Sequence, residues 1–382
     1  MTEGPLRITV AVGTRPEVVK LAPVVTALRR AGHVVRVVAT GQHADPRMYA
    51  DMFTGLGLTA DVAWALHGDE GDRVGALLAN AFRELGENPP DVVLVLGDTY
   101  TAPLVAIAAR RRGVGVVHLE AGLRSYNELS TEESNRRVLG ALATLHLAPT
   151  ELAERALVAE GVAVDRIRVV GNPVIDAVCE SGVLAVAPRL RRGALFTAHR
   201  ATNVDDPARL AELVNILTYL GRSHAPVTFP VHPRTHARLV EHGLLAEVES
   251  AEGVDCLDPM PYRHLLQRLA TSRLVVTDSG GLQEEASYFG VPVLVMRSTT
   301  PRWEGVESGA AVLTGLNAAR VRAAAEVLTG PDQQARVAAL PCPYGTGDTG
   351  RRVVEVLAEP QVRALLVPRE PVLDEVALPA PA

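Results

Sequence analysis

The sequence predicts an α/β protein made of two doubly wound parallel-sheet domains that face a central cleft. Short runs rich in Val, Leu and Ile alternate with amphipathic stretches along both halves of the chain. Such runs are typical of parallel strands that are buried on both faces, with helices between them. The alternation lapses once, at residues 182–192, which divides the elements into two series. Each series therefore predicts its own layered domain.

The first series covers residues 1–181 and predicts a doubly wound α/β domain of six strands. The apolar runs place strands at residues 8–12, 34–39, 92–96, 115–119, 145–147 and 167–170. The amphipathic stretches place helices at residues 17–30, 73–85, 102–112, 132–143 and 151–160.

The second series covers residues 193–358 and repeats the same alternation. Residues 182–192, which include Pro188 and several arginines, lose periodicity and are expected to be a linker. Strands are predicted at residues 194–197, 227–231, 274–277 and 292–296, and helices at 207–220, 262–270 and 282–289. Residues 359–382 are rich in proline without a clear period, so we expect a poorly ordered tail.

The composition excludes several classes of protein. A net charge of −6 over 382 residues argues against a nucleic-acid partner. The chain shows no apolar run of membrane-spanning length and no signal-peptide pattern, so neither a membrane nor export is expected. The three cysteines lie far apart, and no HExxH pair occurs, which argues against metal sites and disulfides. A reducing cytoplasm is the expected location.

Carboxylates stand at the ends of two strands of the first domain. Asp98 and Glu120 each follow an apolar run directly, where ligands bind in open parallel sheets. Glu132 begins a helix nearby; the alternative reading is that Glu132 and Glu133 only complement the helix dipole, with Thr131 as the N-cap. Three carboxylates in one cleft are expected to raise some of their pKa values by repulsion and to serve as general acid and base.

The second domain offers the matching groups for a phosphate. Ser279, Gly280 and Gly281 lie between a buried run and a helix, whose free N–H groups can cradle a diphosphate. Glu285, one turn further, is placed to accept a pair of ribose hydroxyls; the alternative is a capped helix after a tight turn. His199 and His232 also end strands, and we expect them to contact ligand as donors rather than to be structural histidines.

Lys20 is the single lysine among 38 lysine and arginine residues. It lies one turn into a helix that starts at Pro16 after a break at Gly13, and Arg15 stands at that helix start. Helix N-termini suit anions, because they carry free N–H donors and the positive end of the dipole. Lys20 and Arg15 are therefore predicted to serve a phosphorylated ligand.

Ten segments, in this order, resemble the non-hydrolysing UDP-N-acetylglucosamine 2-epimerases. They are residues 13–23, 40–43, 97–99, 120–124, 132–136, 170–173, 199–200, 230–233, 278–285 and 293–300, within a likeness that spans about residues 7–357. One departure is that the family's Thr-Thr-Glu-Arg-Pro-Glu reads Thr299-Thr-Pro-Arg-Trp-Glu304 here. The resemblance implies a glycosyltransferase-B-type fold of two Rossmann-like domains.

The resemblance also implies a reaction without a cofactor. UDP leaves C1 of the sugar as the C2 proton is removed, and both return with the proton on the opposite face. Carried onto this sequence, the catalytic residues are Asp98, Glu120, Glu132 and His199. The residues implied to hold UDP-sugar are Arg15, Lys20, Arg136, His232, Ser279, Gly280, Gly281, Glu285 and Arg302.

Further properties implied by the resemblance are a homodimer and an allosteric site. Bacterial members bind a second, activating UDP-N-acetylglucosamine near the positions of Gln42 and His43. Three other functions stay open: a hydrolysing 2-epimerase, a glycosyltransferase of the same fold, and a nucleotide-sugar sensor without activity. The hydrolysing enzymes carry Gly-Gly-Glu where this chain has Leu119-Glu-Ala-Gly122.

Overall fold

The computed structural model describes residues 4–42 and 57–368, and within them two parallel sheets form two α/β domains. Within these residues the first sheet has the strand order β3-β2-β1-β4-β5-β6-β7. Its strands are β1 (Arg7–Val12), β2 (Val34–Ala39), β3 (Val62–Ala63), β4 (Val92–Leu96), β5 (Gly115–Leu119), β6 (Leu145–Ala148) and β7 (Ile167–Val169). Every residue of β4 and β5 is buried, because helices cover both faces of this sheet.

The second sheet repeats the same winding, and within the described residues its strand order is β10-β9-β8-β11-β12-β13. Its strands are β8 (Ala194–Thr197), β9 (Val227–Pro230), β10 (Val254–Leu257), β11 (Leu274–Thr277), β12 (Val293–Val295) and β13 (Ala311–Leu313). The predicted fold class, two doubly wound parallel-sheet domains, is confirmed. Chain order reverses between β1 and β4 in one sheet and between β8 and β11 in the other, which are the positions where such sheets bind ligands.

Helices connect the strands of the first domain. They are α1 (Arg15–Arg30), α2 (Glu70–Glu87), α3 (Thr101–Arg111), α4 (Thr131–Leu142), α5 (Glu151–Ala159) and α6 (Pro173–Glu180). The N-cap of α4 is Ser130, one residue before Thr131, which the alternative account of Glu132 and Glu133 took as the N-cap. Short 3-10 turns lie at Val164–Arg166 and Pro188–Leu190.

The second domain and the end of the described chain supply the remaining helices. They are α7 (Ala201–Val204), α8 (Pro207–Ser223), α9 (Pro233–Glu241), α10 (Leu245–Glu249), α11 (Tyr262–Thr271), α12 (Gly280–Phe289), α13 (Trp303–Glu307), α14 (Ala318–Leu328), α15 (Pro331–Ala338), α16 (Thr349–Ala358) and α17 (Pro360–Leu366). None of the helices in the described part of the chain is long and apolar enough to cross a membrane.

Three strands were missing from the prediction: β3, β10 and β13. Each has two to four residues, and none of them is fully buried. Strands this short and this mixed in polarity do not produce a continuous apolar run, so hydrophobic periodicity does not reveal them. All ten predicted strands are present at bounds within one residue of the prediction.

The beginning of the expected tail is helical and belongs to the first domain. Helices α16 and α17 return to the first sheet, where Val353, Leu357, Val362 and Leu366 join its hydrophobic core. The expectation of a poorly ordered tail from residue 359 is therefore wrong for Pro360–Leu366. Residues 369–382 lie outside the described residues. The proline-rich composition of this segment gave no helical pattern, and the helix is stabilised by tertiary packing of its apolar side chains.

This packing predicts that α17 contributes to stability. Leu366→Ala and Val362→Ala should each lower the free energy of unfolding of the first domain, by about 2–5 kcal/mol for the leucine, because both side chains are at most 4% exposed. Val367→Ala is the matched control, since Val367 is 61% exposed, and it should change stability by less than about 0.5 kcal/mol. Urea unfolding followed by circular dichroism measures all three, and equal effects would contradict the packing of α17.

Candidate active site

The two points of strand reversal face each other across a cleft of about 460 Å³. Its first wall carries the loops after β1, β4 and β5, and its second wall carries the loops after β8, β9 and β11. The predicted catalytic and substrate-binding residues all line it: Arg15, Lys20, Asp98, Glu120, Glu132, Arg136, His199, His232, Ser279, Gly280, Gly281, Glu285 and Arg302. The structure therefore brings together residues that are up to 287 positions apart in the chain.

Gln42 does not join this cleft. Its side-chain carbonyl accepts a hydrogen bond from the Thr101 hydroxyl at 3.0 Å, behind the loop at Gly13. His43, the other residue of the expected allosteric site, lies outside the described residues. The allosteric site stays a prediction.

Each carboxylate of the first wall has a polar partner. Asp98 Oδ2 accepts a hydrogen bond from Arg136 Nε at 3.0 Å, and Glu120 is bonded to Lys20 Nζ. Glu132 accepts from the Ser130 hydroxyl at 2.5 Å. Glu120 has a φ of +62°, a left-handed conformation that is unusual for a residue with a side chain and is typical of functional positions.

The pKa values of these carboxylates move in the direction opposite to our expectation. Burial opposes ionisation of Asp98 and of Glu120, but Arg136 and Arg302 outweigh it for Asp98, and Lys20 and Arg302 outweigh it for Glu120. Burial also opposes ionisation of Glu132, but the Ser130 hydroxyl and Arg200 hold its pKa below the ordinary value. The expectation of raised values is wrong because it counted the repulsion between carboxylates and left out the cations beside them.

Lys20 lies between carboxylates of both domains. Its ammonium is bonded to Glu120 of the first domain and, at 3.2 Å, to Glu284 Oε2 of the second. Burial disfavours the charged form, yet Glu120 and Glu284 together raise the pKa of Lys20. The lysine thus serves the cleft carboxylates directly. Arg15, by contrast, is exposed at the first position of α1 and faces the cleft.

The Arg136 guanidinium contacts several side chains of the first domain. Besides Asp98 it contacts Glu133 and lies 3.4 Å from the Ser125 hydroxyl. These contacts orient the carboxylate of Asp98. Arg136 also lines the cleft, and its part in substrate binding stays a prediction. Glu133 in turn accepts hydrogen bonds from Ser125 and from the backbone of Tyr126, so it organises the loop before α4.

The N-terminus of α12 forms the second wall. Ser279 is its N-cap and makes no capping hydrogen bond with its own side chain. The backbone at Gly280 runs so close to Arg302 that a Cβ there would lie 3.1 Å from Arg302 Nη1. Free N–H groups, a hydroxyl and a guanidinium are thereby gathered at one helix end, an arrangement that suits a phosphate.

Glu285 lies deeper on the same helix and is hydrogen-bonded to Tyr262. The Tyr262 hydroxyl donates to Glu285 Oε1 at 2.8 Å. Burial raises the pKa of Glu285 to about 7, although the hydroxyl of Tyr262 and the charge of Lys20 act in the other direction. Both residues line the cleft.

His199 is oriented by a buried carboxylate that our sequence interpretation missed. Its Nδ1 lies 3.0 Å from Asp278 Oδ1, and Asp278 also accepts the backbone N–H groups of His199 and Arg200. Burial opposes ionisation of Asp278, but its hydrogen bond and charge interaction with His199 lower its pKa. The pairing leaves Nε2 as the histidine nitrogen available to a ligand. His232 has its ring centre 5.4 Å from that of His199.

Glu17 is a second missed residue. Its carboxylate accepts the backbone N–H groups of Gly13 and Thr14 and the hydroxyl of Thr99, at 2.5, 3.1 and 2.6 Å. It therefore ties the loop after β1 to the loop after β4, next to Asp98. Burial raises its pKa to about 7. Glu17 stands three residues after Thr14, a spacing that is also typical of a capping box. The sequence therefore did not reveal that Glu17 connects the two loops.

Glu284 is the third missed residue and is completely buried. Its Oε1 accepts from Arg302 Nε at 2.8 Å and from Asn172 Nδ2 at 2.9 Å, and its Oε2 accepts from Lys20. Burial raises the pKa of Glu284 even though Arg302 and Lys20 stabilise its anion. The sequence shows only adjacent glutamates at 284 and 285 and cannot show which side of the helix each faces.

The segment that departs from the family pattern joins the two domains. The Thr299 hydroxyl donates to the carbonyl of Ser125, and Trp303 Nε1 donates to the carbonyl of Arg124 at 3.0 Å. Arg302 lies between these contacts and faces the cleft. No group of three or more His, Cys, Asp or Glu side chains in residues 4–42 and 57–368 is arranged to hold a metal ion.

Comparisons with known proteins identify the family of the chain. The family model described as UDP-N-acetylglucosamine 2-epimerase matches residues 26–358. A Methanocaldococcus jannaschii UDP-N-acetylglucosamine 2-epimerase is 33% identical over 367 residues, covering 92% of this chain and 99% of the relative. A Pseudomonas aeruginosa UDP-2,3-diacetamido-2,3-dideoxy-D-glucuronate 2-epimerase is also 33% identical, over 93% of this chain and all of the relative.

A solved structure extends the agreement to the fold. The crystal structure of the Methanocaldococcus jannaschii enzyme in complex with UDP-GlcNAc and UDP matches with a TM-score of 0.83 and 32% identity. The match covers 92% of this chain and 99% of that one. The resemblance found in the sequence and the glycosyltransferase-B-type fold that it implied are confirmed. The chain belongs to the UDP-N-acetylglucosamine 2-epimerase family.

Proposed function

We propose that the protein is a non-hydrolysing isomerase that interconverts UDP-N-acetylglucosamine and UDP-N-acetylmannosamine. One observation carries the proposal: carboxylates that can move a proton stand across a single cleft from a helix N-terminus and cations that can hold a leaving diphosphate. Epimerisation at C2 by elimination needs both functions at adjacent carbons. Family membership supports the same reaction.

In the proposed reaction the second domain receives UDP. Glu285 accepts the ribose hydroxyls, while Ser279, Gly280, Gly281 and Arg302 contact the diphosphate, with Arg15 and His232 at its edges. The bond between C1 and the diphosphate oxygen breaks, and its electron pair leaves with UDP. A preorganised donor aimed at such developing charge is typically worth about 3 kcal/mol, so several together lower the barrier substantially.

The first domain moves the proton. One of the carboxylates Asp98, Glu120 and Glu132 takes the proton from C2 as the C1–C2 double bond forms, giving 2-acetamidoglucal. In the return step, a second of these carboxylates, present in its protonated form, gives a proton to the opposite face of C2 while the diphosphate oxygen of UDP bonds to C1 and the C1–C2 double bond is lost. The lowered pKa values of the three carboxylates favour the ionised form, which is the form that accepts a proton. His199, held by Asp278, completes the catalytic group.

Two further expectations come from the sequence. The homodimer is implied by the resemblance and the cytoplasmic location by the cysteine usage, and both stay predictions. Closure of the two domains around the ligand keeps the glucal and UDP together and excludes water, which favours epimerisation over hydrolysis.

The reaction is tested by proton NMR of UDP-N-acetylglucosamine incubated with the protein in D₂O. We expect UDP-N-acetylmannosamine deuterated at C2, and no free sugar. Free N-acetylmannosamine with UDP would instead establish a hydrolysing enzyme, and turnover only with an added acceptor would establish a transferase. If the protein binds UDP but converts neither UDP-N-acetylglucosamine nor UDP-2,3-diacetamido-2,3-dideoxy-D-glucuronate, it would be a nucleotide-sugar sensor without activity.

Asp98→Asn should still bind UDP, but its kcat should fall by at least about 100-fold, which is the range of general acid–base catalysis.

The raised pKa of Glu285 predicts that ligand affinity depends on pH. The ionised carboxylate accepts both ribose hydroxyls, whereas the protonated acid donates instead. With a pKa of about 7, most of this side chain is protonated at pH 6 and ionised at pH 8. Affinity for UDP-glucose should therefore rise by up to about tenfold from pH 6 to pH 8, because the competent fraction rises by that factor.

Calorimetry with UDP-glucose measures this dependence without interference, because its diphosphate carries no terminal phosphate that titrates in this range. Glu285→Gln should bind more weakly and show a flat profile between pH 6 and pH 8. A profile with the same slope in Glu285→Gln would assign the titration to another group.

A further inference from the structure

A buried ionic cluster crosses the boundary between the two domains beneath the cleft. Its centre is Glu284, on the side of α12 that faces the first domain, and it has no exposed surface. The proposed reaction assigns this carboxylate no role. A fully buried carboxylate is costly unless hydrogen bonds and opposite charges compensate it, and Glu284 has three donors.

Two of those donors belong to the first domain. Lys20 comes from α1, and Asn172 is the N-cap of α6, where its carbonyl also accepts the backbone N–H of Val174 at 3.0 Å. Asn172 lies in the segment 170–173, which resembles the family pattern and to which we had assigned no chemistry. The third donor, Arg302, belongs to the second domain and lies against Gly280 at the start of α12.

The charges of the cluster balance in two ways. Across the boundary, Lys20 contacts both Glu120 and Glu284. Within each domain the charges also pair, Lys20 with Glu120 in the first and Arg302 with Glu284 in the second. Separation of the domains therefore breaks the contacts from Lys20 and Asn172 to Glu284 and leaves each side neutral. A closed state with such an interface can open to release product without exposing an unpaired charge.

The geometry of Lys20 explains why the chain has a lysine here. An ammonium presents three donors from one atom, so it reaches two carboxylates that approach from different domains. A guanidinium is a larger, planar group with its donors in a rigid fork, whereas the ammonium is a compact point charge on a flexible stem. Arg302, which contacts Glu284 through Nε, lies on the other side of the same carboxylate.

From this arrangement we infer that Glu284 is a positioning residue that couples closure of the two domains to assembly of the acid–base group. When α12 docks on the first domain, Glu284 fixes Lys20 against Glu120 and holds Arg302 beside the diphosphate site. The inference rests on the proposed function for its effect on turnover, but the effect on domain closure does not depend on that function.

Glu284→Gln distinguishes the contact of Glu284 with Lys20 from its contacts with Arg302 and Asn172. The glutamine carbonyl can replace Oε1 and still accept from Arg302 and Asn172, while its amide group meets the ammonium of Lys20 in place of Oε2. The substitution is therefore directed at the contact between Lys20 and Glu284. Exposed Glu249, on α10 of the second domain, provides the matched control Glu249→Gln.

Small-angle X-ray scattering of the ligand-free protein tests closure. We expect Glu284→Gln to have a larger radius of gyration than the wild type, with Glu249→Gln unchanged, and circular dichroism should show both variants folded. An unchanged radius in folded Glu284→Gln would overturn the coupling of Glu284 to closure. This result holds whatever reaction the protein catalyses.

Steady-state kinetics tests the effect on turnover. In Glu284→Gln we expect kcat to fall by about tenfold or more, with KM within about threefold of the wild type. Lys20→Gln should lose more, and the double variant Lys20→Gln, Glu284→Gln should be no worse than Lys20→Gln, because both act through one contact. Losses that multiply in the double variant, or a normal kcat in Glu284→Gln, would overturn the inference. A wild type without turnover would overturn the proposed reaction and leave the scattering result to decide on closure.

Discussion

The structure depends on the pairing of charges that are buried where the two domains meet. Carboxylates and cations cannot leave water without opposite charges and hydrogen bonds, so each one restricts the position of its partners. Lys20 lies between Glu120 and Glu284, and Arg136 lies between Asp98 and Glu133. These pairs position the first wall of the cleft, and the pair of Glu284 with Arg302 positions the second.

The same pairing determines the protonation of the site. Carboxylates that share a cleft would raise one another's pKa, but the adjacent guanidinium and ammonium groups reverse that direction for Asp98 and Glu120. Glu17 and Glu285 have partners that do not fully compensate their burial, and their pKa values rise to about 7. Asp98 and Glu120 are each in contact with a cation, whereas the partners of Glu17 and Glu285 are hydroxyl and backbone N–H groups.

Much of the site follows from the sequence because parallel sheets place their functional residues at strand ends. Asp98, Glu120, His199 and Ser279 are visible there as polar residues one or two positions after a strand ends. The short edge strand β10 and the helix α17 were missed, since tertiary contacts rather than local patterns stabilise them.

Contacts between distant residues could not be predicted in the same way. Glu284 and Asp278 lie in a segment that the sequence marks clearly, yet their partners Lys20, Asn172 and His199 are 79 to 264 positions away. Which of two adjacent glutamates faces the interface depends on the docking of α12. The predicted direction of the pKa shifts was wrong for the same reason, because those shifts depend on cations that only the fold brings close to the carboxylates.

In the proposed reaction one cleft holds UDP and 2-acetamidoglucal together, and the first domain moves the proton. The most direct measurement supplies the enzyme with 2-acetamidoglucal and UDP as separate compounds and follows nucleotide sugars by chromatography. The account predicts that UDP-N-acetylglucosamine and UDP-N-acetylmannosamine both form. An enzyme that epimerises UDP-N-acetylglucosamine but forms neither product from this mixture would contradict it.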